Sequence, residues 1–184
     1  MISPRLLICV AAFATPAVAA APAWRVSPQE GRVSFAGTQS GKPFQGRFDQ
    51  WKAQIAFDPA DLVGSKAVVV FATASAKTGD RFQETTLAGA EWFNSAAFPT
   101  ATYTTSRIRA AGPGKYVADG VLQIKGRKVP VQLPFTLAIN GNKATMSGDL
   151  ALDRAAVDIG MKSDPTGAWV SKVVRVQVRL TAQR

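Results

Sequence analysis

Residues 174–180 read Val-Arg-Val-Gln-Val-Arg-Leu, so apolar and polar side chains alternate at every step. A strand places successive side chains on opposite faces. This period of two therefore predicts a β-strand with one face in the core and the other in water. The same alternation runs through residues 129–139 and 51–57. All three stretches predict long, half-buried strands.

Further stretches with strand character lie between turn signals along the rest of the chain. The segments Gly112-Pro113-Gly114, Gly126-Arg127 and Asn140-Gly141-Asn142 separate neighbouring strands, and Asn and Gly tolerate the positive φ of tight hairpin turns. The spacing predicts an all-β fold in which neighbouring strands are antiparallel. The additional predicted strands cover residues 32–39, 43–48, 66–75, 100–109, 115–125 and 143–153.

Two prolines interrupt one of these strands. Pro130 and Pro134 fall on the polar phase of the strand predicted for residues 129–139. Proline has no N–H to donate, and it is confined to strand edges, bulges and bends because it weakens the ladder elsewhere. We therefore expect an edge, a bulge or a bend at this place in the sheet.

The stretch 78–99 resists the strand pattern. It carries Phe82, Trp92, Phe93 and Phe98 among acidic and other polar residues. Spacings of four to five residues between its apolar groups predict one or two short amphipathic helices. Their apolar face would plug or line the open end of the surrounding sheet.

The available side chains limit the chemistry. The chain has no histidine, and its one cysteine, Cys9, lies near the N-terminus. A Ser-His-Asp or Cys-His nucleophile, a His- or Cys-rich zinc site and a structural disulfide are therefore excluded. Asp149, Asp153 and Asp158 are close in sequence, but Asp149 and Asp153 share the polar phase of one strand, and no substrate-defining motif accompanies them. We expect neither catalysis nor a metal site.

The N-terminus has the three parts of an export signal. Arg5 supplies the positive charge, residues 6–13 are apolar, and small residues follow up to Ala21. The apolar stretch is too short to span a bilayer. This organisation predicts a cleaved signal peptide over residues 1–21, a single domain over residues 22–184, and secretion to the periplasm.

The chain is basic, with 22 Lys and Arg against 12 Asp and Glu in 184 residues and a formal net charge of +10. Such a charge favours anionic partners. The cations are scattered through alternating positions and form no dense basic block, so nucleic acid is not expected. Peripheral membrane contact through the basic surface and a homodimer both stay open.

Several short motifs follow one another in a distinctive order. They are Gly46-Arg47-Phe48, Phe57-Asp58-Pro59, Thr78-Gly79, Thr86-Leu87, Glu91-Trp92-Phe93-Asn94, Phe98-Pro99 and Gly120-Val121-Leu122-Gln123-Ile124-Lys125-Gly126 with Val129-Pro130-Val131. In this order they resemble the YceI-like family of lipocalin-like, polyisoprenoid-binding proteins of the bacterial periplasm. The chain departs from the family at Thr86, where many relatives carry histidine, and at Trp92, where many carry phenylalanine.

The resemblance implies an antiparallel eight-stranded lipocalin-like barrel with a short helical insert. Its apolar tunnel would hold an isoprenoid lipid or quinone, and no other cofactor is implied. We expect Gly46, Gly120 and Gly148 to leave room for this ligand, Trp169 to line a second opening, and charged groups such as Arg154 to meet the head group. The expected ligand-binding residues are Phe35, Phe48, Phe57, Phe82, Trp92, Phe93, Phe98, Tyr103, Leu122, Phe135 and Trp169.

Two other interpretations fit the same alternation. A barrel filled by its own side chains would be a ligand-free periplasmic stress or interaction protein, and only the interior volume separates it from a carrier. An outer-membrane barrel would need apolar residues on its outer face, where several strands here place Arg, Lys and Asp. The filled barrel is therefore the main alternative to a carrier.

Overall fold

The computed structural model describes residues 20–184, so the predicted signal peptide lies outside the described residues except for its last two positions. None of the helices in residues 20–184 has the length and apolar character that a bilayer span requires. The elements are β1 Ala23–Gln39, β2 Lys42–Phe48, β3 Trp51–Asp58, β4 Asp61–Ala72, a 3-10 turn Thr73–Ser75, β5 Ala76–Lys77, α1 Arg81–Ala88, β6 Thr100–Gly112, β7 Lys115–Ile124, β8 Arg127–Asn140, β9 Lys143–Asp153 and β10 Val173–Gln183.

The strands close into a barrel because the first strand pairs with the last. β1 pairs antiparallel with β10, and the pairing continues through β9, β8, β7, β6, β4 and β3 back to β1. Eight antiparallel strands therefore complete the ring. The predicted eight-stranded barrel with a short helical insert is confirmed.

Two members of this ring are interrupted strands. β2 pairs with the second half of β1, and β3 pairs with the first two residues of β1. β2 and β3 therefore form one bent strand that is broken at Asp49 and Gln50. β5 continues β4 beyond the 3-10 turn and pairs with β2. Asp49 N donates to Ser75 O, and Ala72 N donates to Gln50 O. These bonds hold the two breaks side by side.

The alternation along the sequence determines which face of each strand is buried. In β10, Leu180 is buried on the inner face, whereas Arg175 and Arg179 are exposed on the outer face. In this strand the apolar group therefore faces the lumen and the charged groups face outwards. The predicted turns lie between strands, and Gly126 and Gly141 have φ of +74° and +58°, a region that glycine enters without steric cost.

The predicted interruption at the prolines is confirmed. Pro130 and Pro134 are paired with β7 on one side of β8. On the other side, β8 pairs with β9 only from Phe135 to Asn140. Between residues 127–134 and 149–153 the structure shows no ladder, and we call this interval the seam. Because proline lacks an N–H, its place beside an unpaired edge leaves no ladder bond unmade.

The insert between β5 and β6 contains one helix, within the one or two that its sequence predicts. Only α1 is a helix, and Asp80 caps it by accepting from Gln83 N at 3.0 Å. Residues 90–97 instead form successive turns, held by bonds such as Phe93 N to Leu87 O at 2.9 Å. These turns direct the Phe93 side chain into the core, where it is buried.

The two ends of the barrel differ. α1, the segment 154–172 and the turn between β1 and β2 meet at one end, which we call the insert end. There Ser40 N donates to Trp169 O at 2.7 Å, and Gln83 Nε2 donates to Gln39 Oε1 at 3.1 Å. The opposite end carries the β3–β4, β6–β7 and β8–β9 turns.

Candidate functional site

The interior of the barrel is hollow. It encloses a cavity of about 220 Å³ whose lining is almost entirely apolar. An apolar cavity of roughly 150 Å³ in another protein stays dry and binds benzene. The space here is therefore large enough for a hydrocarbon ligand, and the side chains do not meet across the centre as a filled barrel would require.

The inward residues around the hollow differ in burial. Many inward residues of β8, β9 and β10, such as Val131, Leu150 and Val176, line the cavity and are only half-buried. Many lining residues of the other strands, such as Phe71, are fully buried. Aliphatic side chains of the last three strands thus form a large part of the cavity lining.

Glycines on the inner face lie beneath aromatic rings. A Cβ on Gly120 would come within 2.6 Å of the Tyr103 ring, and a Cβ on Gly46 would overlap the ring of Phe35. The expectation that these glycines leave room for a ligand is therefore wrong. The rings lie along the wall over the glycines, which leaves the lumen free. At Gly148 the close neighbour is aliphatic, since its Cβ would approach the Leu133 side chain at 3.1 Å.

Aromatic clusters lie towards both ends of the cavity. Near the opposite end, Phe57 meets Tyr116 edge-on at 5.3 Å between centroids, and Tyr116 stacks on Phe135 at 5.4 Å. Towards the insert end, Phe48 contacts Phe93 of the insert at 5.8 Å. This contact joins the insert to the barrel core. Phe48 also packs against two other barrel rings, Phe35 and Phe71.

The structure places most, but not all, of the predicted ligand-binding residues on the cavity. Phe82, Phe98 and Trp169 do not line it. Phe82 is 76% exposed and Trp169 is 49% exposed, while Phe98 lies over Gly126. The predicted residues on the cavity lining are Phe35, Phe48, Phe57, Trp92, Phe93, Tyr103, Leu122 and Phe135.

A smaller recess, which we call the vestibule, lies outside the cavity at the insert end. Its walls include Phe82 and Trp169, so Trp169 is at the same end as the insert and the expectation of a second opening there is wrong. The vestibule is more polar than the cavity because amide and hydroxyl side chains contribute to it. The residues that border both spaces are Phe44, Leu87, Trp92 and Val170.

Polar groups around the cavity bond to the protein's own backbone. Trp24 Nε1 donates to Phe57 O at 2.9 Å, and Thr105 Oγ1 accepts from Ala67 N at 2.8 Å. Tyr103 Oη donates to the Ala118 carbonyl at 3.1 Å, and burial, aided by the charge of Asp119, raises the pKa of Tyr103 to about 12. Because these polar groups already have partners, the lumen imposes no hydrogen-bond geometry on a ligand.

Arg154 is a structural clasp. Its side chain is 2% exposed, and Nη2 donates to Asp164 Oδ2 at 2.6 Å and to Val170 O at 2.8 Å. Nη1 donates to Ile159 O and Nε to Ser171 O. Because all its nitrogens are engaged, the expectation that Arg154 meets a ligand head group is wrong. It ties the segment 154–172 together beside the cavity.

Asp164 completes this clasp. Its Oδ2 accepts from Val170 N at 2.8 Å and its Oδ1 from Trp169 N at 3.2 Å. Donation from Val170 N, then from Trp169 N, together with the Arg154 charge, holds the pKa of Asp164 below the ordinary carboxyl value, although burial opposes the shift. The ionised carboxylate therefore fixes the backbone that carries Trp169.

Sequence reasoning missed many aliphatic residues that bound the hollow. The available signal was the period of two, which places them on the inner face. That signal does not distinguish a side chain packed against a neighbour from one that faces empty space. The missed aliphatic residues of the last three strands are Val131, Leu133, Leu137, Ile139, Leu150, Leu152, Val174, Val176, Val178 and Leu180.

The carboxylates considered for catalysis do not converge on the cavity. Asp149 and Asp153 are exposed on β9, and Asp158 lies 3.9 Å from Lys125 Nζ. Within residues 20–184, no group of three or more Asp, Glu, His or Cys side chains is arranged to hold a metal ion. The geometry of the cavity is suited to enclosing an apolar molecule.

Known proteins share this architecture. The YceI-like domain family matches residues 24–182. Burkholderia cenocepacia BcnA is 33% identical in its crystal structure, with a TM-score of 0.82, over 85% of this chain and 98% of BcnA. A polyisoprenoid binding domain from Saccharophagus degradans, implicated in plant cell wall breakdown, is 15% identical with a TM-score of 0.64, over 88% of this chain and 97% of that one. This second likeness shows the fold alone.

Curated relatives match a shorter region. A UPF0312 protein of Yersinia pestis (strain Pestoides F) is 31% identical over 97 residues, which is 53% of this chain and 50% of the relative. A UPF0312 protein of Vibrio cholerae is 24% identical over 87 residues, 47% of this chain and 46% of the relative. The chain thus spans about half the length of the curated relatives it matches.

Proposed function

The chain belongs to the YceI-like domain family, and on that premise we propose that its barrel carries a long-chain amphiphile, an isoprenoid lipid or quinone, without chemically changing it. The single observation that carries the proposal is the apolar cavity of about 220 Å³ inside the barrel. Nearby polar groups such as Tyr103 and Thr105 already bond to backbone. The tail would lie in the cavity and the head group towards the vestibule.

The hydrophobic effect is strong enough to hold such a tail. Burying one methylene contributes about 0.8 kcal/mol, so ten buried carbons contribute on the order of 8 kcal/mol before the costs of association. The cavity lining offers the ligand no polar partner, so no polar interaction competes with this hydrophobic contribution. The tail is therefore expected to supply most of the affinity, and the head group to supply orientation.

The name of the Saccharophagus degradans neighbour supports the choice of ligand class, since it is described as a polyisoprenoid binding domain. The polar side chains around the vestibule support the placement of the head group. Gln39 and Gln83 form an amide pair at 3.1 Å, and Thr78 and Thr86 stand nearby on the vestibule wall. They offer donors and acceptors to an uncharged or weakly polar group.

Extraction of the purified protein tests the proposal. The full chain is produced with its N-terminal segment in a Gram-negative host, purified without detergent and extracted with organic solvent, and the extract is analysed by mass spectrometry. We expect close to one amphiphile per barrel. An empty extract from folded protein would favour the ligand-free alternative.

Two adjacent substitutions provide a matched comparison. Val176 faces the hollow and Arg175 faces outwards on the same strand. Val176→Trp is expected to fill the lumen and lower the bound lipid at least tenfold, whereas Arg175→Trp retains it. Circular dichroism and thermal unfolding report whether each variant is folded. Equal lipid contents in folded Val176→Trp and Arg175→Trp would contradict a ligand site in the lumen.

The proposed place of action is the periplasm. The N-terminal segment with Arg5, its apolar stretch and the small residues up to Ala21 supports export and cleavage. Cell fractionation followed by N-terminal sequencing tests this. We expect the mature protein in the periplasmic fraction, beginning at Pro22. A full-length chain in the cytoplasmic fraction would contradict it.

A further inference from the structure

Large apolar side chains are exposed at the insert end. Phe82 is 76% exposed and Trp169 is 49% exposed, and both border the vestibule. Val173, at the start of β10 beside the segment 154–172, is 55% exposed. Exposed apolar groups gathered at one place on a surface mark contact with a partner or a membrane. Here Phe82 and Trp169 border the recess next to the cavity.

Polar contacts hold α1 in place although none of its residues is buried. Glu84 accepts from Thr78 N and Gly79 N and forms an ion pair with Lys77 Nζ at 2.8 Å. Gln83 bonds to Gln39 of β1. The exposed position of Phe82 is therefore built into the fold and does not result from a loosely attached helix.

The backbone of Trp169 is fixed in the same manner. Trp169 N donates to Asp164 Oδ1 at 3.2 Å, and Trp169 O accepts from Ser40 N at 2.7 Å. Asp164 is itself held by the buried Arg154. A rigid backbone thus presents an indole ring to solvent. Indole has an apolar body and one N–H, a combination that favours the boundary between lipid and water.

The charges at this end are arranged to favour an anionic surface. Acidic groups there are engaged within the protein: Asp80 caps α1, Glu84 binds Lys77, Glu91 accepts from two backbone N–H groups, and Asp164 binds Arg154. The exposed Asp153 accepts from Ala155 N, and Asp158 lies 3.9 Å from Lys125 Nζ. Several cations at this end are exposed and form no ion pair within the described residues. They are Lys42, Arg81, Lys162 and Lys172.

We infer that the insert end docks on a lipid bilayer that contains anionic lipid. Phe82 and Trp169 enter the level of the head groups, and the unpaired cations contact anionic head groups around them. The inference rests on the proposed function in that docking would place the vestibule against the membrane, where a carried amphiphile can enter or leave without crossing water.

Vesicle co-sedimentation tests the docking surface. The purified protein is mixed with phosphatidylcholine vesicles, with or without phosphatidylglycerol, at low and high salt. We expect binding to the anionic vesicles, weakened by salt because exposed charges are screened. The double variant Phe82→Ser with Trp169→Ser is expected to bind about tenfold or more weakly, a loss of about 1.4 kcal/mol or more.

Matched controls lie at the opposite end. Val63, in the β3–β4 hairpin, is 100% exposed, so Val63→Ser removes an exposed apolar group away from the proposed surface. For charge, Lys42→Gln with Lys172→Gln is compared with Lys115→Gln with Lys143→Gln near the opposite end. We expect only the insert-end substitutions to weaken binding. Equal effects at both ends would overturn the inference.

Lipid extraction from the same samples separates this inference from the proposed function. Wild-type protein that contains its amphiphile but does not bind anionic vesicles would overturn docking and leave the carrier intact. Protein that binds vesicles through Phe82 and Trp169 but yields no amphiphile would overturn the carrier and leave docking intact. Vesicle binding that survives the double substitution would overturn the assigned surface.

Discussion

Glycine is paired with large aromatic rings on the inner wall. Gly31 lies under Trp51, as Gly46 lies under Phe35. A missing side chain on one strand gives space for a ring from the next, so the ring lies along the wall and not across the lumen. At Gly31 the nearest atoms all belong to side chains, which makes this pair suited to measurement.

Gly31→Ala is expected to destabilise the barrel by about 1–3 kcal/mol, because the new Cβ would stand 2.7 Å from the Trp51 ring and a packed core resists such insertion. In a Trp51→Leu background the same substitution should cost less than about 1 kcal/mol, since the ring is gone. Urea unfolding of the four proteins measures the coupling. An equal cost in both backgrounds would show that the ring is not the obstacle.

Asp164 makes the barrel sensitive to acid. Its folded-state pKa is lowered, first by donation from Val170 N. Its stabilising contribution is thus complete above the ordinary carboxyl pKa of about 4 and is lost as the pH falls through the lowered value.

Asp164→Asn should reduce the urea midpoint at pH 7, and its deficit relative to wild type should narrow as the pH falls below about 4. Asp149→Asn, on the exposed face of β9, is the control and should leave the midpoint unchanged. Urea titrations of all three proteins at neutral and acidic pH give the comparison. A deficit that does not change with pH would argue against an ionised Asp164 in the clasp.

The pattern of residue types predicts which face of a strand each side chain occupies, but it does not predict whether that side chain borders empty space. The alternation correctly places Phe35 and Val176 on the inner face, and both line the cavity, yet Phe35 is fully buried whereas Val176 is only half-buried. The difference arises from the strands opposite them and from Gly46, which receives the Phe35 ring. Such pairings depend on register across the barrel, which the sequence pattern does not contain.

At the scale of elements, the seam divides β9 into two halves. Residues 143–148 pair with β8 on one side and β10 on the other, whereas residues 149–153 pair with β10 alone. Amides of the second half that point towards β8 therefore have no ladder partner. Pro130 and Pro134 across the seam cannot supply an N–H to β9 either.

Native-state hydrogen exchange should reveal this division. We expect some amides of residues 149–153 to exchange at least tenfold faster than those of residues 143–148, because an unpaired N–H needs no opening of a ladder. Exchange resolved by residue with NMR would show fast and slow positions alternating after Gly148. Uniform protection across all of β9 would contradict the seam.

The insert contains one of the one or two predicted helices, and its second half is not helical. Its apolar spacing predicts one or two amphipathic helices, but residues 90–97 form turns in which Asn94 has φ of +48°. Phe93 is drawn into the aromatic cluster around Phe48, a contact between distant parts of the chain. The helix α1 itself follows a local signal, since Asp80 supplies the cap that its sequence position indicates.

At the scale of the whole molecule, the barrel topology could be predicted because strand length, turn residues and alternation all favour one architecture. Closure by β1 and β10 joins the two ends of the described chain, and no local pattern specifies it. The family motifs supply that information in the sequence, in the order from Gly46 to Val131. The hollow follows only once all eight strands are in register.

Removal of the ligand should lower the stability of the whole barrel. Lipid-free protein, refolded from guanidinium, is expected to melt about 5–10 °C below protein saturated with an isoprenoid quinone at roughly 100 times its Kd. Differential scanning calorimetry measures the shift, and the Val176→Trp variant should show little of it. Identical melting of empty and saturated wild type would contradict binding in the lumen.

The polar groups of the cavity wall already have hydrogen-bond partners, and this limits how the cavity can select a ligand. Because Tyr103, Thr105 and Trp24 already bond to backbone, the lumen distinguishes ligands only by the width and length of their tails. Under the proposed function, saturated and unsaturated tails of equal width would be accepted alike. The bound lipid would then depend on which lipids the neighbouring bilayer supplies. A cell that altered its lipid synthesis would alter the lipid bound in this barrel without any change in the protein.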